Sequence, residues 1–176
     1  MRILVTGGAG FIGSHLCERL IKDGHSVTAF DNFSTGRASN LLQLEGVEGF
    51  SLIEGSILDT QLLNPLVNNA DYVFHLAAAV GVFNIVNNPL ASLLTNIRGT
   101  ENVLEAAHFS GTPVFLTSSS EVYGKNISDS LKESDDRILG TPVTLRWSYS
   151  EAKAIDESLA YAYFVEKQLE TRIIRF

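Results

Sequence analysis

An α/β fold, in which helices cover a doubly wound parallel sheet, is predicted by three features of the sequence. Short apolar runs alternate with stretches of helical periodicity from one end to the other. The first run, Ile3-Leu4-Val5, passes into a glycine turn, Gly7-x-x-Gly10-x-x-Gly13, that opens straight into a helical pattern. An acid, Asp31, stands where the second run ends. In a chain with 14 glycines such spacings arise by chance, so the weight lies on the context: strand before, helix after, acid beyond. In that context Gly7 allows a tight turn, Gly10 lets a pyrophosphate approach the backbone, and Gly13 permits close strand–helix packing. The helix start offers free N–H groups and the positive end of its dipole to phosphates.

After the turn, Ile12, Leu16 and Leu20, with Cys17 and Ile21, recur at helical spacing and predict one apolar face, closed by Gly24 after Asp23. Cys17 on that face is a packing residue, and His25 falls in the following turn. Ser26 to Phe30 is the second strand. Asp31 at its carboxyl end suits both hydroxyls of an adenosine ribose and repels a 2′-phosphate. It also suits an Asx turn into Asn32-Phe33-Ser34-Thr35-Gly36, and the two readings are compatible. Arg37 nearby is the residue that would meet a 2′-phosphate. Phe50 to Glu54 is the third strand, followed by Gly55-Ser56-Ile57-Leu58-Asp59. Asp71 to Leu76 is the fourth and runs into Ala77-Ala78-Ala79, small residues against which a flat cofactor can lie or the backbone can pack closely. His75 reads as a satisfied core histidine.

A long helix is predicted from Pro89 to about Ser110, with Leu90, Leu94, Ile97, Leu104 and Ala107 as its stripe. Asn96 and Gly99 are poor helix formers in its middle and imply either a backbone distortion or a polar task toward the site. Val114 to Thr117 is the fifth strand. Ser118-Ser119-Ser120-Glu121-Val122-Tyr123-Gly124 follows its carboxyl end, where open α/β sheets place their sites. Residues 125–146 are polar and read as a long surface loop. A helix from Trp147 or Ser148 to about Glu170 puts Tyr149 and Lys153, at i and i+4, on one face. Thr171 to Phe176 is the sixth strand.

At 176 residues the chain reads as one domain, residues 1–176, with no second domain. A net charge of −7 argues against nucleic acid and anionic membrane surfaces as partners. Cys17 is the single cysteine, so neither an intrachain disulfide nor a cysteine metal site is expected, and no metal is assigned. No stretch has the length of a membrane span, and the cytoplasm is the expected compartment.

Taken together, Thr6-Gly7-x-x-Gly10-x-x-Gly13, the Ser118–Gly124 run and Tyr149-x-x-x-Lys153 resemble the extended short-chain dehydrogenase/reductase family. The likeness is strongest to its NAD-dependent epimerase/dehydratase group, Rossmann-like enzymes acting on nucleotide sugars. His75-Leu76-Ala77-Ala78 and Asn96-Ile97-Arg98-Gly99-Thr100 match two further motifs of that family. The resemblance implies NAD held by Gly7, Gly10, Phe11, Ile12, Gly13, Asp31, Asn32, Ser34, Thr35, Gly36, Ser56, Ile57, Leu76, Ala77, Ala78 and Asn96, together with Tyr149 and Lys153. Asn96 matches a helix asparagine that supports the catalytic lysine, whereas Ser56 stands where the family has an aspartate on the adenine. Ser119, Tyr149 and Lys153 are implied as the catalytic triad, with Glu121 as a fourth catalytic residue. Family members continue past this point into a substrate-binding domain, so the chain reads as the cofactor-binding half of such an enzyme.

The implied chemistry is oxidation of a sugar carbon to a 4-keto intermediate, with Tyr149 as base and Lys153⁺ lowering the phenol's pKa. Ser119 bonds the reacting oxygen. The fate of the ketone decides the enzyme: an epimerase of UDP-sugars is the first expectation. A UDP-glucuronate decarboxylase stands beside it, because Glu121 precedes the Val-Tyr-Gly tyrosine by two residues, as in the family's decarboxylases and dehydratases. Ser120, where dehydratases carry Asp, lowers the 4,6-dehydratase alternative. An NAD-binding module without turnover is the alternative of another class. Apolar surface at Ala154, Tyr161, Phe164 and Val165 implies a homodimer.

Overall fold

The computed structural model covers residues 1–176 and describes all of them apart from the side chains of Val82 and Asn84. Six strands, β1 (Arg2–Thr6), β2 (Ser26–Asp31), β3 (Phe50–Glu54), β4 (Tyr72–His75), β5 (Val114–Ser118) and β6 (Thr171–Arg175), form one sheet. Their spatial order is β3-β2-β1-β4-β5-β6, and every pairing is parallel. The helices are α1 (Phe11–Lys22), α2 (Thr60–Asn68), α3 (Val82–Asn87), α4 (Pro89–Ser110) and α5 (Ser148–Lys167). This is the Rossmann-like doubly wound arrangement that the sequence predicts.

Successive strand residues feed two cores. Leu4 joins Phe30, Val73 and Leu116 with Leu63 and Val67 of α2, Val103 and Leu104 of α4, and Ala160 of α5. Its neighbours Ile3 and Val5 join Val27 and Ala29 with Cys17 and Leu20 of α1. Leu41 and Leu44, from a 3₁₀ segment (Ala38–Leu44), complete that second core. Covered on both faces, the central strands need no polar alternation, which is why they read as unbroken apolar runs. Leu63, Leu104 and Leu116 are fully buried, so truncating any one to alanine costs about 2–5 kcal/mol.

Several elements differ from the sequence expectation. Helices α2 and α3 are not delimited by periodicity; α2 is short, carries Pro65, and is started by Asp59, whose carboxylate accepts from the N–H groups of Gln61 and Leu62. Ile12 is 45% exposed and Leu90 69% exposed, so neither belongs to its helix's core stripe. Helix α4 runs unbroken through Asn96 and Gly99. Gly99 is there because a Cβ would collide with the Ile57 side chain. Helix α5 stops at Lys167 because Gln168 turns into the left-handed region at φ 56°. Ala154, expected on exposed surface, is buried against Val122 and Tyr123.

Candidate active site

The strand order reverses between β1 and β4, and their carboxyl ends open on a cleft of about 470 Å³. Gly7 turns the chain there at φ +70°, and a Cβ on it would lie 2.7 Å from the Ala77 nitrogen. A Cβ on Gly13 would strike the Gly7 carbonyl. Only bare backbone fits where β1, β4 and α1 meet. No side chain caps α1, and Gly10, Phe11, Ile12 and Gly13 line the cleft. The first-turn N–H groups of a helix have no partner within it, so this turn is built to take an anion.

Asp31 is 7% exposed and faces the same cleft. Its Oδ2 accepts from Ala9 N at 2.9 Å and its Oδ1 from Phe33 N at 2.8 Å. The Asx turn is therefore present, and the carboxylate also ties the glycine turn to β2. About four lone-pair positions leave it two for ribose hydroxyls. Asn32, Ser34 and Thr35 line the cleft beside it. Gly36 does not: it is buried behind them, where a Cβ would come within 2.9 Å of Asp31 Oδ2. Ser56 also stands off, its Oγ accepting from Leu58 N at 3.2 Å ahead of α2. Gly55 and Ile57 line the wall in its place, opposite Leu76, Ala77 and Ala78. Cleft size, uncapped helix start, acceptor acid and small-residue floor fit a dinucleotide. Asn96 has a different task from the one expected. Buried, it accepts from Ala79 N at 2.6 Å and donates to Ala79 O at 3.2 Å, clamping the segment after β4 rather than touching Lys153.

His75 is fully enclosed between the hydroxyls of Thr6 at 2.7 Å and Thr100 at 3.2 Å. Burial, with a smaller push from Lys153⁺, drives its pKa down from 6.5 to about 3. The unfolded chain takes up a proton below about pH 6.5 that the folded chain refuses until about pH 3, so stability is lost as pH falls through that window. The expected loss is roughly 1.4 kcal/mol per pH unit, or about 2 kcal/mol between about pH 6.5 and pH 5. Urea unfolding of wild type and His75→Asn across that range checks this; equal pH slopes in the two would contradict it.

At the far end of the cleft Ser119, Tyr149 and Lys153 come together as lining residues. Ser119 Oγ accepts from Glu121 N at 3.3 Å, which leaves its own O–H free to donate. Lys153 is 2% exposed, and its ammonium donates to Thr117 O at 3.0 Å and to Asp156 Oδ2 at 3.2 Å. Asp156 is wholly buried with Oδ1 unpartnered, and burial raises its carboxyl pKa against the pull of Lys153. Sequence reasoning missed this acid, although its spacing of three from Lys153 on one helix signals a pair.

The effect on Tyr149 reverses the expectation. Its phenol is pushed up to about 12, first by burial and then by the negative charges of Asp156 and Glu121. These outweigh Lys153, whose ammonium is held by Asp156 Oδ2 and Thr117 O. Glu121 does not line the cleft. Its two carboxylate oxygens accept from Nη1 and Nη2 of Arg146, at 2.5 and 2.9 Å. The turn that holds it is braced by Ser150 Oγ, donating to Glu121 O at 2.7 Å, and by Arg137 Nε, donating to Val122 O at 3.1 Å. Arg175, in a two-pronged pair with Glu157, lies over the Tyr123 ring at 4.8 Å and ties the same turn to β6.

A reversal of strand order with a glycine-built, uncapped helix start above it is the mark of a dinucleotide-binding enzyme domain. The chain belongs to the NAD-dependent epimerase/dehydratase family, whose model matches residues 3–176, and its cofactor is NAD. It is 43% identical over 175 residues to a UDP-N-acetyl-alpha-D-glucosaminuronate decarboxylase of Bacillus cytotoxicus, covering 99% of this chain and 53% of that protein. Among solved structures it resembles UDP-N-acetylglucosamine 4-epimerase from Methanobrevibacter ruminantium M1, in complex with UDP-N-acetylmuramic acid. There the identity is 33% and the TM-score 0.89, over 99% of this chain and 54% of the other. The dTDP-glucose 4,6-dehydratase DesIV of Streptomyces venezuelae, with NAD and TYD bound, gives 31% and a TM-score of 0.90 over 99% and 55%. The chain spans about half the length of the relatives it matches.

Proposed function

We propose that the parent protein removes carbon dioxide from a UDP-hexuronate in the cytoplasm, residues 1–176 being its NAD-binding domain and the source of its acid–base groups. The observation that carries this reading is Glu121, a carboxylate held by Arg146 just past the carboxyl end of β5, behind the cleft lining, whose charge acts on Tyr149. An epimerase has no use for a fixed carboxylate there, since nothing at C5 or C6 changes. The similarity to a decarboxylase at 43% identity supports the same choice.

When bound, NAD supplies the hydride acceptor for oxidation at C4 and returns the hydride at the end. Tyr149 takes the proton of the C4 hydroxyl at its phenol oxygen, and Ser119 donates its O–H to O4. The resulting ketone is β to the C6 carboxylate, so the C5–C6 bond breaks with its electron pair spread onto O4, leaving carbon dioxide. Ser119 and protonated Tyr149 hold the charge that gathers there. C5 then takes a proton from water, which restores the C4 ketone, and as the hydride comes back to C4 Tyr149 returns its proton to O4. Lys153, buried, is held by Asp156 and Thr117 O at the same end of the cleft as Tyr149.

The likeness to a UDP-N-acetylglucosamine 4-epimerase favours a second reading, since the same groups at C4 serve epimerisation. Proton NMR of products separates the two: the full-length protein with NAD is given UDP-glucuronate, UDP-N-acetylglucosaminuronate or UDP-N-acetylglucosamine in turn. The decarboxylase reading expects a nucleotide sugar one carbon shorter from a uronate; C4 epimers alone would replace it by the epimerase. A homodimer belongs to the same proposal, because Ile155, Tyr161, Phe164 and Val165 of α5 lie exposed together with Phe109 of α4. A monomer by light scattering at high micromolar concentration would contradict it.

A further inference from the structure

The Glu121–Arg146 pair joins residues 25 apart, across the long loop. Arg146 lies in a 3₁₀ turn (Leu145–Trp147) just ahead of α5, three residues before Tyr149. The pair is not needed to hold the Ser119–Tyr123 turn, which Ser150 and Arg137 already brace through Glu121 O and Val122 O. Half-exposed ion pairs of this kind also add little to stability. Three other cations around the site each have a carboxylate of their own: Lys153 with Asp156, Arg137 with Glu151, and Arg175 with Glu157. Lys125 has no ion pair among the described residues, and its Nζ stands 5.5 Å from the Trp147 ring centroid, as does the Arg146 Cζ. Without Arg146, Glu121 would present a bare negative charge beside Tyr149, and a second carboxylate brought to that place would be repelled.

We propose that Arg146 sets the selectivity of this site for an acidic sugar, an assignment that rests on the decarboxylase reading. Its guanidinium fork neutralises Glu121, so that the carboxylate of a UDP-hexuronate is admitted next to Tyr149. Together with Lys125 the cluster carries a net positive charge in a chain of net charge −7. A neutral UDP-hexose makes no such demand. Arg146 is thus a positioning residue that acts through Glu121 rather than on the reacting bonds.

Calorimetric titration of the full-length, NADH-loaded protein tests this without turnover, using UDP-glucuronate and UDP-glucose on wild type, Arg146→Gln and the double variant Arg146→Gln/Glu121→Gln. Arg146→Gln should weaken the uronate at least tenfold and leave UDP-glucose within twofold. The double variant should regain most of the lost uronate affinity, since the uncompensated charge has gone. Equal weakening of both nucleotides would overturn the proposal and make the pair a structural strap; melting temperatures of each variant expose a folding defect. A double variant as weak for the uronate as the single one would also overturn it, making Arg146 the sugar carboxylate's own ligand. Wild type that binds UDP-glucuronate no better than UDP-glucose would instead count against the decarboxylase reading itself.

Discussion

Replacing Asp156 with Asn should destabilise the fold by about 3–5 kcal/mol, the cost of leaving a buried charge without its partner. Lys153 and Asp156 side chains are 3% and 0% exposed, so water cannot take the place of the lost carboxylate. Part of the ammonium's solvation remains in Thr117 O, which sets the loss nearer the lower end. The effect has a signature that distinguishes it from ordinary packing loss. Adding Lys153→Met to Asp156→Asn removes the stranded charge and should restore most of the stability, because a buried pair replaced by apolar groups is often close to neutral. Urea unfolding of the two variants measures both; a loss below about 1 kcal/mol for Asp156→Asn alone would contradict the burial of the pair.

The largest expected effect on activity belongs to Tyr149. In the full-length protein Tyr149→Phe should lower kcat about a thousandfold while NAD affinity stays within about twofold, since the ring remains and only the proton acceptor goes. With the phenol pushed up to about 12 in the free protein, its ionised form is scarce near neutrality and grows as pH rises. Wild-type activity should therefore climb with pH across the neutral range, as a required base dictates, and the residual activity of the Phe variant should not. In the chain itself, the difference in ultraviolet absorbance between wild type and variant should report a phenol ionising well above the ordinary value of 10. A phenol that titrates near neutral pH would show that Lys153 governs it after all.

Local signals of the fold and site were legible in the sequence, and contacts between distant segments were not. The glycine turn was legible because its φ and close approaches are properties of one short segment, and the residues at Gly7, Gly10 and Gly13 meet the cleft as read. Tyr149 and Lys153 share a face because one helix carries both. Features that stayed hidden in the sequence depend on contacts between segments. Ile12 left the core stripe because α1 starts at the cleft, and Asn96 turned to Ala79, 17 residues away in sequence, whose backbone N–H and C=O it satisfies. The direction of the Tyr149 shift needed burial and two acids, one of them 28 residues away in sequence. Glu121 was legible as a residue, but not its engagement by Arg146, since nothing in a polar loop announces which end it will meet.

The removal of a sugar's carboxylate is tested most directly by tracing that carbon. The full-length protein is incubated with NAD and UDP-glucuronate labelled with ¹³C at C6, and the label is monitored by NMR in a sealed tube. Glu121 beside Tyr149, with Ser119 free to donate to O4, leads to labelled bicarbonate and carbon dioxide appearing in step with an unlabelled UDP-pentose. Label retained wholly in a C4 epimer of the starting uronate would contradict it.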